Sequence, residues 1–572
     1  MERFRHRLAS AEALPELVLL ALITGFVTGL VSLAFRGAIV LVSSQYLPGG
    51  DPEGFEGLAI AERLLLPIGG AVVLGALFTR LPPETLRFGV SRVMERLTRH
   101  QGYMSLRTAL VQFFGGIIAL ATGMSGGREG PAIHLGAASA SLMGQAIELP
   151  NNTIRTLVAC GSAAAIAGSF NTPMAGVIFA MEVVMMEYTI GSFIPVIVAA
   201  VVATLLTHYF VGSAAAFEVA PLHLNSLLEI PYIVLCGVVV GLFAAAHARL
   251  VQLFARWQRW PFWFRALTAA ALTSAAAVGA PEVMGVGYDT VDAAMAGDLA
   301  LATLLAVVVL KAASSAAAVG LGMPVGLIGP TFVVGAALGG ALGLVGAELQ
   351  PGETASTGFY VMLGMAGMMA AVLQAPLAAL VAVLELTSNV NVILPAMLII
   401  VVATMIPAVP FRQKPVFLST LETLGLQYPP SPVTLHLQRA GVASIMSRSF
   451  ARLPVECTVD QAREALARRP RFIVVELASG QARSVMNAAD LRAYLAESAA
   501  SGDDKVALLR IPAKRRDAAD IDYRATIEEA QIALRAPGVE ALCVRRTSAP
   551  MIAPIRGVIA QEDIDNYRET AL

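Results

Sequence analysis

An arginine and a glutamate stand among glycines in the stretch MSGGREGPAIHLG, residues 124–136. Ionisable side chains in membrane-embedded sequence usually serve a function, and the residues around this pair are apolar. Glu129 carries the same charge as a small anion, so its carboxylate would compete with an anion for one site. The structural alternative is that Glu129 pairs with Arg128 or with another buried base.

The proline of the same stretch predicts where a helix begins. Proline lacks a backbone N–H. It is favoured at the start of a helix because an N–H there would have no intrahelical partner in any case. A helix N-terminus carries partial positive charge and free N–H groups, which together bind anions. Glycine lets the backbone approach such an anion closely. Pro131 and the glycines before it therefore predict an anion site built from backbone donors.

A second copy of this arrangement follows about two hundred residues later. GLIGP (326–330) matches GREGP (127–131), so Pro330 predicts another helix start. Downstream, QAPLAALVAVLEL (374–386) matches NTPMAGVIFAMEV (171–183) without a gap. Two matches in the same order indicate two structural repeats, with a binding site where the repeats meet.

Two glutamates occupy equivalent places in these repeats. Glu182 and Glu385 are 203 residues apart (385 − 182), the same separation as Pro173 and Pro376 (376 − 173). Because the two glutamates occupy equivalent places in both repeats, we expect them to have a structural role. Glu182 and Glu385 are predicted to hold neighbouring backbone amides rather than ions.

The composition is that of a membrane protein. Of 572 residues, 56% are hydrophobic and only 14% are charged, whereas soluble domains carry about 25% charged residues. The net charge of −1 and the absence of a basic tail argue against a nucleic-acid partner. The four cysteines are scattered without paired spacing, which predicts neither a disulfide framework nor a zinc site.

Apolar segments recur from about residue 17 to about residue 409. The first has no small-residue cleavage site after it, so it is interpreted as a membrane helix and not as a signal peptide. Several segments are shorter than the ~20 residues that span a bilayer, and glycine or proline interrupts many of them. Short, broken segments are typical of the core of a channel or transporter.

The sequence divides into a membrane part and a soluble tail. We expect a polar N-terminal segment (1–13) and a membrane domain (14–425) with repeats at about 14–220 and 225–425. A proline-rich linker (426–441) follows. Beyond it, β-rich runs alternate with amphipathic helices in two similar halves, 442–498 and 506–572, and Thr458 and Thr526 are predicted to cap a helix in each half.

These motifs resemble the CLC family of chloride channels and chloride/proton antiporters over residues 15–425. GREGP, GSFNTPMAGVIFAME, GLIGP and LQAPLAALVAVLELT carry the resemblance. The tail resembles the paired CBS module. The resemblance implies an all-α polytopic membrane protein with two inverted-topology repeats of broken helices, plus a C-terminal soluble α/β CBS pair. It further implies a chloride-transporting homodimer in a lipid bilayer, expected to be a bacterial inner membrane, with both termini and the CBS pair in the cytoplasm.

The resemblance also implies roles for individual residues. Glu129 matches the gating glutamate, which fills the anion site when ionised and leaves it when protonated or displaced. The positions that match the family's anion-binding loops and inner gate are Gly127, Arg128, Gly130, Gly326, Leu327, Ile328, Phe88, Gly89, Val90 and Phe417.

Two of these positions depart from the family pattern. Phe88 stands where the family has a serine, and Ser91, which takes the place of the motif's proline, is an alternative source of a hydroxyl. Phe417 stands where the family has a tyrosine. A hydrogen bond to a charged partner is worth about 1.5–3 kcal/mol, so we expect a central site that binds chloride weakly.

A third departure bears on mechanism. Antiporters of the family usually carry a second, inward-facing glutamate directly after Glu182, and here that position is Val183. The missing acid favours a voltage- or pH-gated chloride channel. The alternative is a chloride/proton antiporter with a non-standard internal proton path, through water or Glu187.

The remaining candidates receive structural interpretations. His134 lies one turn into the predicted helix and is expected to be a satisfied packing histidine, with tuning of the gate as the alternative. Lys311 is expected to extend toward a membrane interface.

No nucleophile–base pair, metal cluster or phosphate loop predicts an enzyme. A carrier of larger acids and a non-conducting scaffold are also disfavoured, the first because the glycine loops leave little space.

The tail predicts no resident cofactor. In the CBS nucleotide pattern Asp490 and Asp563 are kept, but Asn487 and Ala560 replace the hydroxyl residues. Binding of an adenosine nucleotide is therefore an open alternative that is not favoured over a structural or dimerising role.

Overall fold

The computed structural model describes residues 2–10, 13–213, 217, 224, 226–349, 354–425, 432–477, 481–498, 505–546 and 555–569. These residues fall into two units. The membrane unit comprises residues 18–146 and 155–429. The tail unit comprises residues 1–17, 147–154 and 430–572, so it includes the chain's first helix and a short segment between two helices of the membrane unit.

The membrane unit is helical throughout its described residues. After α1 (Glu2–Leu8) of the tail unit come α2 (Leu14–Ser43), α3 (Ile60–Phe78), α4 (Gly89–Arg99), α5 (Leu106–Ala121), α6 (Glu129–Ala146), α7 (Asn151–Phe170), α8 (Pro173–Phe179), α9 (Ile190–Phe210), α10 (Ile230–Ala255), α11 (Phe262–Gly279), α12 (Tyr288–Ala296), α13 (Leu301–Gly320), α14 (Ile328–Leu349), α15 (Thr357–Leu373), α16 (Pro376–Thr387), α17 (Ile393–Ala408) and α18 (Val416–Thr423). A π-helical turn, Ala180–Met185, continues α8.

Long and short apolar helices are mixed. Among the described residues, nine helices are long and apolar enough to cross a membrane, and four apolar helices of 10–17 residues are too short to do so alone. The mixture confirms the all-α membrane fold with interrupted helices that the sequence predicts.

The two glycine loops begin their helices at the same point of the motif. α6 begins at Glu129 and α14 begins at Ile328, the third residue of GREGP and of GLIGP. Each start lies two residues before the proline, slightly earlier than expected. Proline fits there as well, because the N–H groups of a helix's whole first turn lack intrahelical partners.

The two loops are joined to each other through their backbones. The N–H of Gly127 donates to the carbonyl of Gly326 at 2.8 Å, and the N–H of Gly326 donates back to the carbonyl of Gly127 at 2.7 Å. A Cβ on Gly130 would lie 2.7 Å from the Cα of Gly326. Only glycine permits this approach, so the repeats meet where the sequence symmetry places a shared site.

Glu182 and Glu385 hold backbone amides, as predicted. The Glu182 carboxylate accepts hydrogen bonds from Leu377 N at 3.4 Å and Ala378 N at 2.8 Å, in the first turn of α16. The Glu385 carboxylate accepts from Met174 N at 2.9 Å and Ala175 N at 2.7 Å, in the first turn of α8. Each repeat thus caps a helix of the other.

The prediction for Lys311 is wrong. Its side chain is fully buried in α13 and does not reach an interface. Its ammonium group donates to the carbonyls of Val283 at 3.0 Å, Met284 at 3.3 Å and Gly285 at 3.0 Å. These carbonyls lie at the end of a short 3₁₀ helix, Pro281–Val283, and just after it, and they replace the water that the ammonium group would otherwise need.

The tail unit is an α/β structure with two matching halves. Its further helices are α19 (Pro432–Gln438), α20 (Val442–Ile445), α21 (Val459–Ala467), α22 (Ala488–Ser498), α23 (Ile527–Leu534) and α24 (Gln561–Glu569). Its strands are β1 (Phe450–Pro454), β2 (Glu456–Thr458), β3 (Phe472–Glu476), β4 (Ala482–Asn487), β5 (Lys505–Ala507), β6 (Arg515–Asp522), β7 (Ala541–Arg545) and β8 (Gly557–Ala560).

The strand pairing repeats within the tail unit. Six strands form one sheet in the order β1-β3-β4-β6-β7-β8, and β2 pairs with β5. In each half a parallel pair (β1 with β3, β6 with β7) is followed by an antiparallel pair (β3 with β4, β7 with β8). Thr458 and Thr526 cap α21 and α23, as predicted.

Two expected boundaries are only partly described. Within the interval 426–441, expected to be a linker, α19 forms at Pro432–Gln438, and residues 426–431 lie outside the described residues. Most of the expected junction between the repeats, residues 218–223 and 225, also lies outside them.

Removing either capping carboxylate is expected to destabilise the membrane unit to a similar extent. Glu182→Ala or Glu385→Ala leaves two N–H groups without their acceptor, at a cost of about 1–3 kcal/mol. The melting temperature of the detergent-solubilised protein should fall by several degrees in each variant. Glu348→Ala, at an exposed position near the end of α14, is the control. A variant of Glu182 or Glu385 that melts with this control would contradict the capping role.

Candidate functional site

Glu129 lies where the two repeats meet. Its side chain is fully buried. One carboxylate oxygen accepts a hydrogen bond from the hydroxyl of Tyr288, and the other accepts from the N–H of Gly329 at 3.1 Å. Gly329 belongs to the GLIGP loop, so the carboxylate of one repeat occupies a backbone donor of the other. This is the arrangement that competition with an anion requires.

The structure does not pair Glu129 with Arg128 or with another base, as the structural alternative expected. Within the described part of the chain, no ion pair forms on Glu129. The neighbouring Arg128 instead stacks over the ring of Tyr288, with its guanidinium carbon 5.2 Å from the ring centroid. The carboxylate is therefore held by hydrogen-bond donors rather than by a base.

Tyr288 is a site residue that the sequence reasoning missed. It begins α12, and its backbone N–H donates to Glu53 at 2.9 Å, which fixes the start of the helix. The sequence GVGY could have predicted this helix start. Gly285 (φ +54°) and Gly287 (φ +84°) take left-handed conformations directly before the helix. This is a third glycine loop followed by a helix start.

A narrow cavity of about 60 Å³ lies on one side of Glu129, and we call it the inner cavity. Its wall brings together most of the residues that the sequence predicts for anion binding. They come from four places in the chain: Phe88, Gly89, Val90, Gly130, Gly326, Leu327, Ile328 and Phe417. Leu327 and Ile328 stand at the N-terminus of α14, where helix geometry provides no intrahelical partner for their N–H groups.

A wider cavity of about 430 Å³, the outer cavity, lies on the other side. Arg128 and Tyr288 line it, together with Arg36 and several acidic residues. Because Arg128 faces the outer cavity and Gly130 faces the inner one, Glu129 stands between the two.

The comparisons with known proteins agree with this geometry. The family model described as voltage gated chloride channel matches residues 69–408. The chain is 31% identical over 386 residues to the "Putative chloride channel protein ClcB-like" of Ralstonia nicotianae, covering 65% of this chain and 89% of that protein. This chain is a member of the CLC family.

Other relatives and solved structures extend the likeness. The H(+)/Cl(−) exchange transporter ClcA of Yersinia pseudotuberculosis is 28% identical over 423 residues, covering 71% of this chain and 87% of that protein. A slow cyanobacterial Cl⁻/H⁺ antiporter superposes with a TM-score of 0.63 at 22% identity, over 71% of this chain and 97% of its own. A eukaryotic CLC transporter superposes with a TM-score of 0.60 at 17% identity and covers 96% of this chain and 97% of its own.

Charged side chains that the sequence reasoning missed line the inner cavity of this CLC protein. Glu95 accepts hydrogen bonds from Arg87 and from Arg92, each at 2.7 Å, and all three residues lie in the cavity wall. One carboxylate between two guanidinium groups leaves one positive charge. This charge attracts anions into the inner cavity.

The part of Gly89 in anion binding stays a prediction. It was expected to contribute to anion binding, but its N–H donates to Gln112 Oε1 at 3.0 Å. The Gln112 amide in turn donates to the carbonyl of Pro324 at 3.2 Å. A buried glutamine in α5 therefore takes up the backbone donor, and Gly89 contributes its left-handed turn (φ +67°) before α4.

Phe88 and Phe417 place aromatic rings where the family has hydroxyls. Both rings line the inner cavity, and so do Ser91 and Thr420. The Thr420 hydroxyl donates to the carbonyl of Val416 at 2.8 Å, one helical turn earlier. The expectation of a weak central chloride site remains a prediction.

Val183 and His134 are both buried. Val183 lies in the π-helical turn and does not line either cavity. His134 was expected to be a satisfied packing histidine. It is buried in α6, but neither ring nitrogen has a hydrogen-bond partner among the described residues.

In the tail unit, Asp563 has partners within the chain. It accepts a hydrogen bond from Arg471 at 3.0 Å and from the N–H of Ala560 at 2.9 Å. An aspartate engaged in this way is less available to a ribose hydroxyl. The contacts therefore favour the structural role over nucleotide binding.

Removal of the Tyr288 hydroxyl should weaken the binding of the Glu129 carboxylate to its hydrogen-bond donors. Tyr288→Phe deletes a hydrogen bond to a charged group worth about 1.5–3 kcal/mol. We expect chloride flux into liposomes to change by up to roughly tenfold, because the carboxylate and the anion that competes with it both lose this donor. Tyr360→Phe is the matched control, because Tyr360 donates to the buried Glu229 at 2.8 Å without lining either cavity. Unchanged flux in Tyr288→Phe would argue against this seat.

Restoring a hydroxyl at the inner cavity should strengthen chloride binding. In Phe417→Tyr a phenol donor is added to the wall, and we expect the chloride Kd from calorimetry to fall roughly tenfold. Phe411→Tyr, at a position that does not line the inner cavity, should leave the Kd unchanged. Equal Kd values in both variants would show that the Phe417 position does not face bound chloride.

Proposed function

We propose that this CLC protein exchanges chloride for protons across the membrane. Chloride transport follows from membership of the family, and the coupling to protons is the proposal. The observation that carries it is Glu129, a titratable acid buried between two cavities and seated on the backbone donor of Gly329.

The named relatives favour exchange over the channel that Val183 suggests. The ClcA proteins of Yersinia pseudotuberculosis and Cronobacter sakazakii, both 28% identical to this chain, are named H(+)/Cl(−) exchange transporters. A passive gated channel remains the second candidate, supported by the apolar Val183 and by the name of the ClcB-like relative.

Glu129 would couple the two ions through one seat. Ionised, its carboxylate accepts hydrogen bonds from Tyr288 and Gly329 and excludes an anion from these donors. Protonated, it is neutral and a weaker acceptor, so chloride can displace it. Each swap of the carboxylate for chloride is thus linked to the uptake or release of a proton.

Protons would reach the inner side of this seat through Glu95. Val183 cannot carry a proton, whereas Glu95 is the carboxylic acid of the inner cavity wall among the described residues. Its carboxylate forms ion pairs with Arg87 and with Arg92. Protonation requires at least one of these pairs to part, so we expect slow exchange.

We further propose a homodimer in the bacterial inner membrane with the tail unit in the cytoplasm. Several helices of the membrane unit present large apolar side chains at the surface, such as Leu205, Leu235 and Leu394. Apolar surface on this scale suits contact with lipid and with a second copy of the chain.

Flux from liposomes that records chloride and pH together tests the exchange. With a chloride gradient and no initial proton gradient, we expect chloride exit to drive protons inward and so to build up a proton gradient. Glu129→Gln should abolish this proton movement and keep chloride flux. Glu95→Gln should reduce proton movement more than chloride flux.

The channel alternative gives a different result in the same assay. Chloride would leave without proton movement in the wild type, and Glu95→Gln would not change the ratio of the two fluxes. Glu348→Gln, outside both cavities, serves as the control for reconstitution.

A further inference from the structure

All three tryptophans of the chain lie close together, where α10 is joined to α11. Trp257 stacks on Trp260, with ring centroids 5.0 Å apart and ring planes 9° apart. Trp260 and Trp263 each meet the ring of Phe264 edge-on, at 4.9 Å and 5.9 Å. We call residues 256–264 the tryptophan turn. The proposed exchange of chloride and protons does not involve these aromatic rings.

The tryptophan turn lies at one face of the membrane. The helices that enter and leave it, α10 and α11, are each part of a segment long and apolar enough to cross a bilayer. Gln258 lines the inner cavity, so the turn lies on the same side of Glu129 as that cavity. Trp260, Trp263 and Phe264 are 39%, 48% and 41% exposed. Exposed tryptophans at this level suit the headgroup region of a bilayer, since the indole ring is apolar and its N–H is polar.

The charge around the turn is positive. From residue 230 to residue 281 the sequence contains four arginines and neither aspartate nor glutamate. Arg256 and Arg259, within the turn, are exposed, and Arg259 Nε donates to the carbonyl of Arg256 at 3.3 Å. Neither guanidinium group forms an ion pair within the part of the chain that the structure describes. Both can therefore bind phosphate oxygens from outside the protein.

Buried side chains hold the turn in a fixed shape. The Gln258 amide donates to the carbonyl of Gly320 at 2.8 Å, at the end of α13. Arg265 donates to the carbonyl of Trp260 at 3.1 Å and to the carbonyl of Leu321 at 2.6 Å. The backbone that carries the exposed rings and guanidinium groups is thus fixed before any ligand arrives. A ligand would lose little binding free energy to the ordering of the turn.

We propose that the tryptophan turn binds an anionic phospholipid of the surrounding bilayer. Arg256 and Arg259 bind the headgroup phosphate, and the rings of Trp260 and Trp263 lie against the glycerol backbone and the first part of the acyl chains. A soluble phosphate compound offers the exposed rings no apolar partner, whereas a phospholipid matches both the charge and the apolar surface. The site is independent of the proposed exchange, since no residue named for either ion takes part in it.

Tryptophan fluorescence of the full-length protein tests the proposal, because every tryptophan of the chain lies in the turn. The protein is reconstituted in phosphatidylcholine bilayers in which a fixed fraction of the lipid carries brominated acyl chains, which quench the indoles that they contact. Brominated phosphatidylglycerol should quench more strongly than brominated phosphatidylcholine at the same fraction. The ratio of the two lipid binding constants should be roughly fivefold for each contacting arginine.

Variants of the two arginines test whether their charge causes this preference. The double variant Arg256→Gln/Arg259→Gln should be quenched equally by both lipids, whereas Arg256→Lys/Arg259→Lys should keep most of the preference. Arg107→Gln, at an exposed position in the first turn of α5, removes a charge elsewhere in the membrane unit and should keep all of it. If the double glutamine variant does not fold, each single variant should lose part of the preference.

Any of three results would contradict the proposal. Equal quenching of the wild type by both lipids would show that the turn does not select an anionic headgroup. A preference that persists in the glutamine variants would show that these arginines do not bind the lipid. Loss of the preference on adding inorganic phosphate, compared with sodium chloride at the same ionic strength, would assign the arginines to a soluble anion instead of a lipid.

Discussion

The placement of one buried carboxylate governs the organisation of the membrane unit. Burying an ionised acid is costly unless donors replace its water. Glu129 finds those donors only where a loop of one repeat lies against a loop of the other, at Gly329 and Tyr288. The glycines, the early helix starts and the reciprocal bonds between Gly127 and Gly326 all serve this close approach.

The same principle recurs at the helix caps. Glu182 and Glu385 each satisfy the first turn of a helix in the opposite repeat. Two carboxylates thus connect the repeats at symmetric positions. A third carboxylate, that of Glu129, accepts hydrogen bonds from donors that an anion can also use. Glu182 and Glu385 are structural in this account, and Glu129 alone has a mobile competitor.

The sequence predicted those parts of the site that depend on local backbone. Glycine loops and prolines identify helix starts wherever they occur, so the repeats and the capping glutamates followed from them. The positions of Phe88, Gly89, Val90 and Phe417 followed instead from the resemblance to the family. Tyr288 was missed because 159 residues separate it from Glu129 in the chain. Gln112 was missed for the same reason, because 212 residues separate it from Pro324. The position of the Lys311 side chain was predicted wrongly because its carbonyl acceptors lie at the end of a 3₁₀ helix that no sequence pattern predicts.

Anomalous diffraction from bromide-soaked crystals tests the competition between Glu129 and an anion most directly. In the Glu129→Gln variant we predict a bromide peak within hydrogen-bond distance of the N–H of Gly329 and the hydroxyl of Tyr288. In the wild type the carboxylate should hold that place and the peak should be absent. A variant in which these donors stay without bromide, while bromide binds elsewhere, would contradict the claim that carboxylate and anion share one seat.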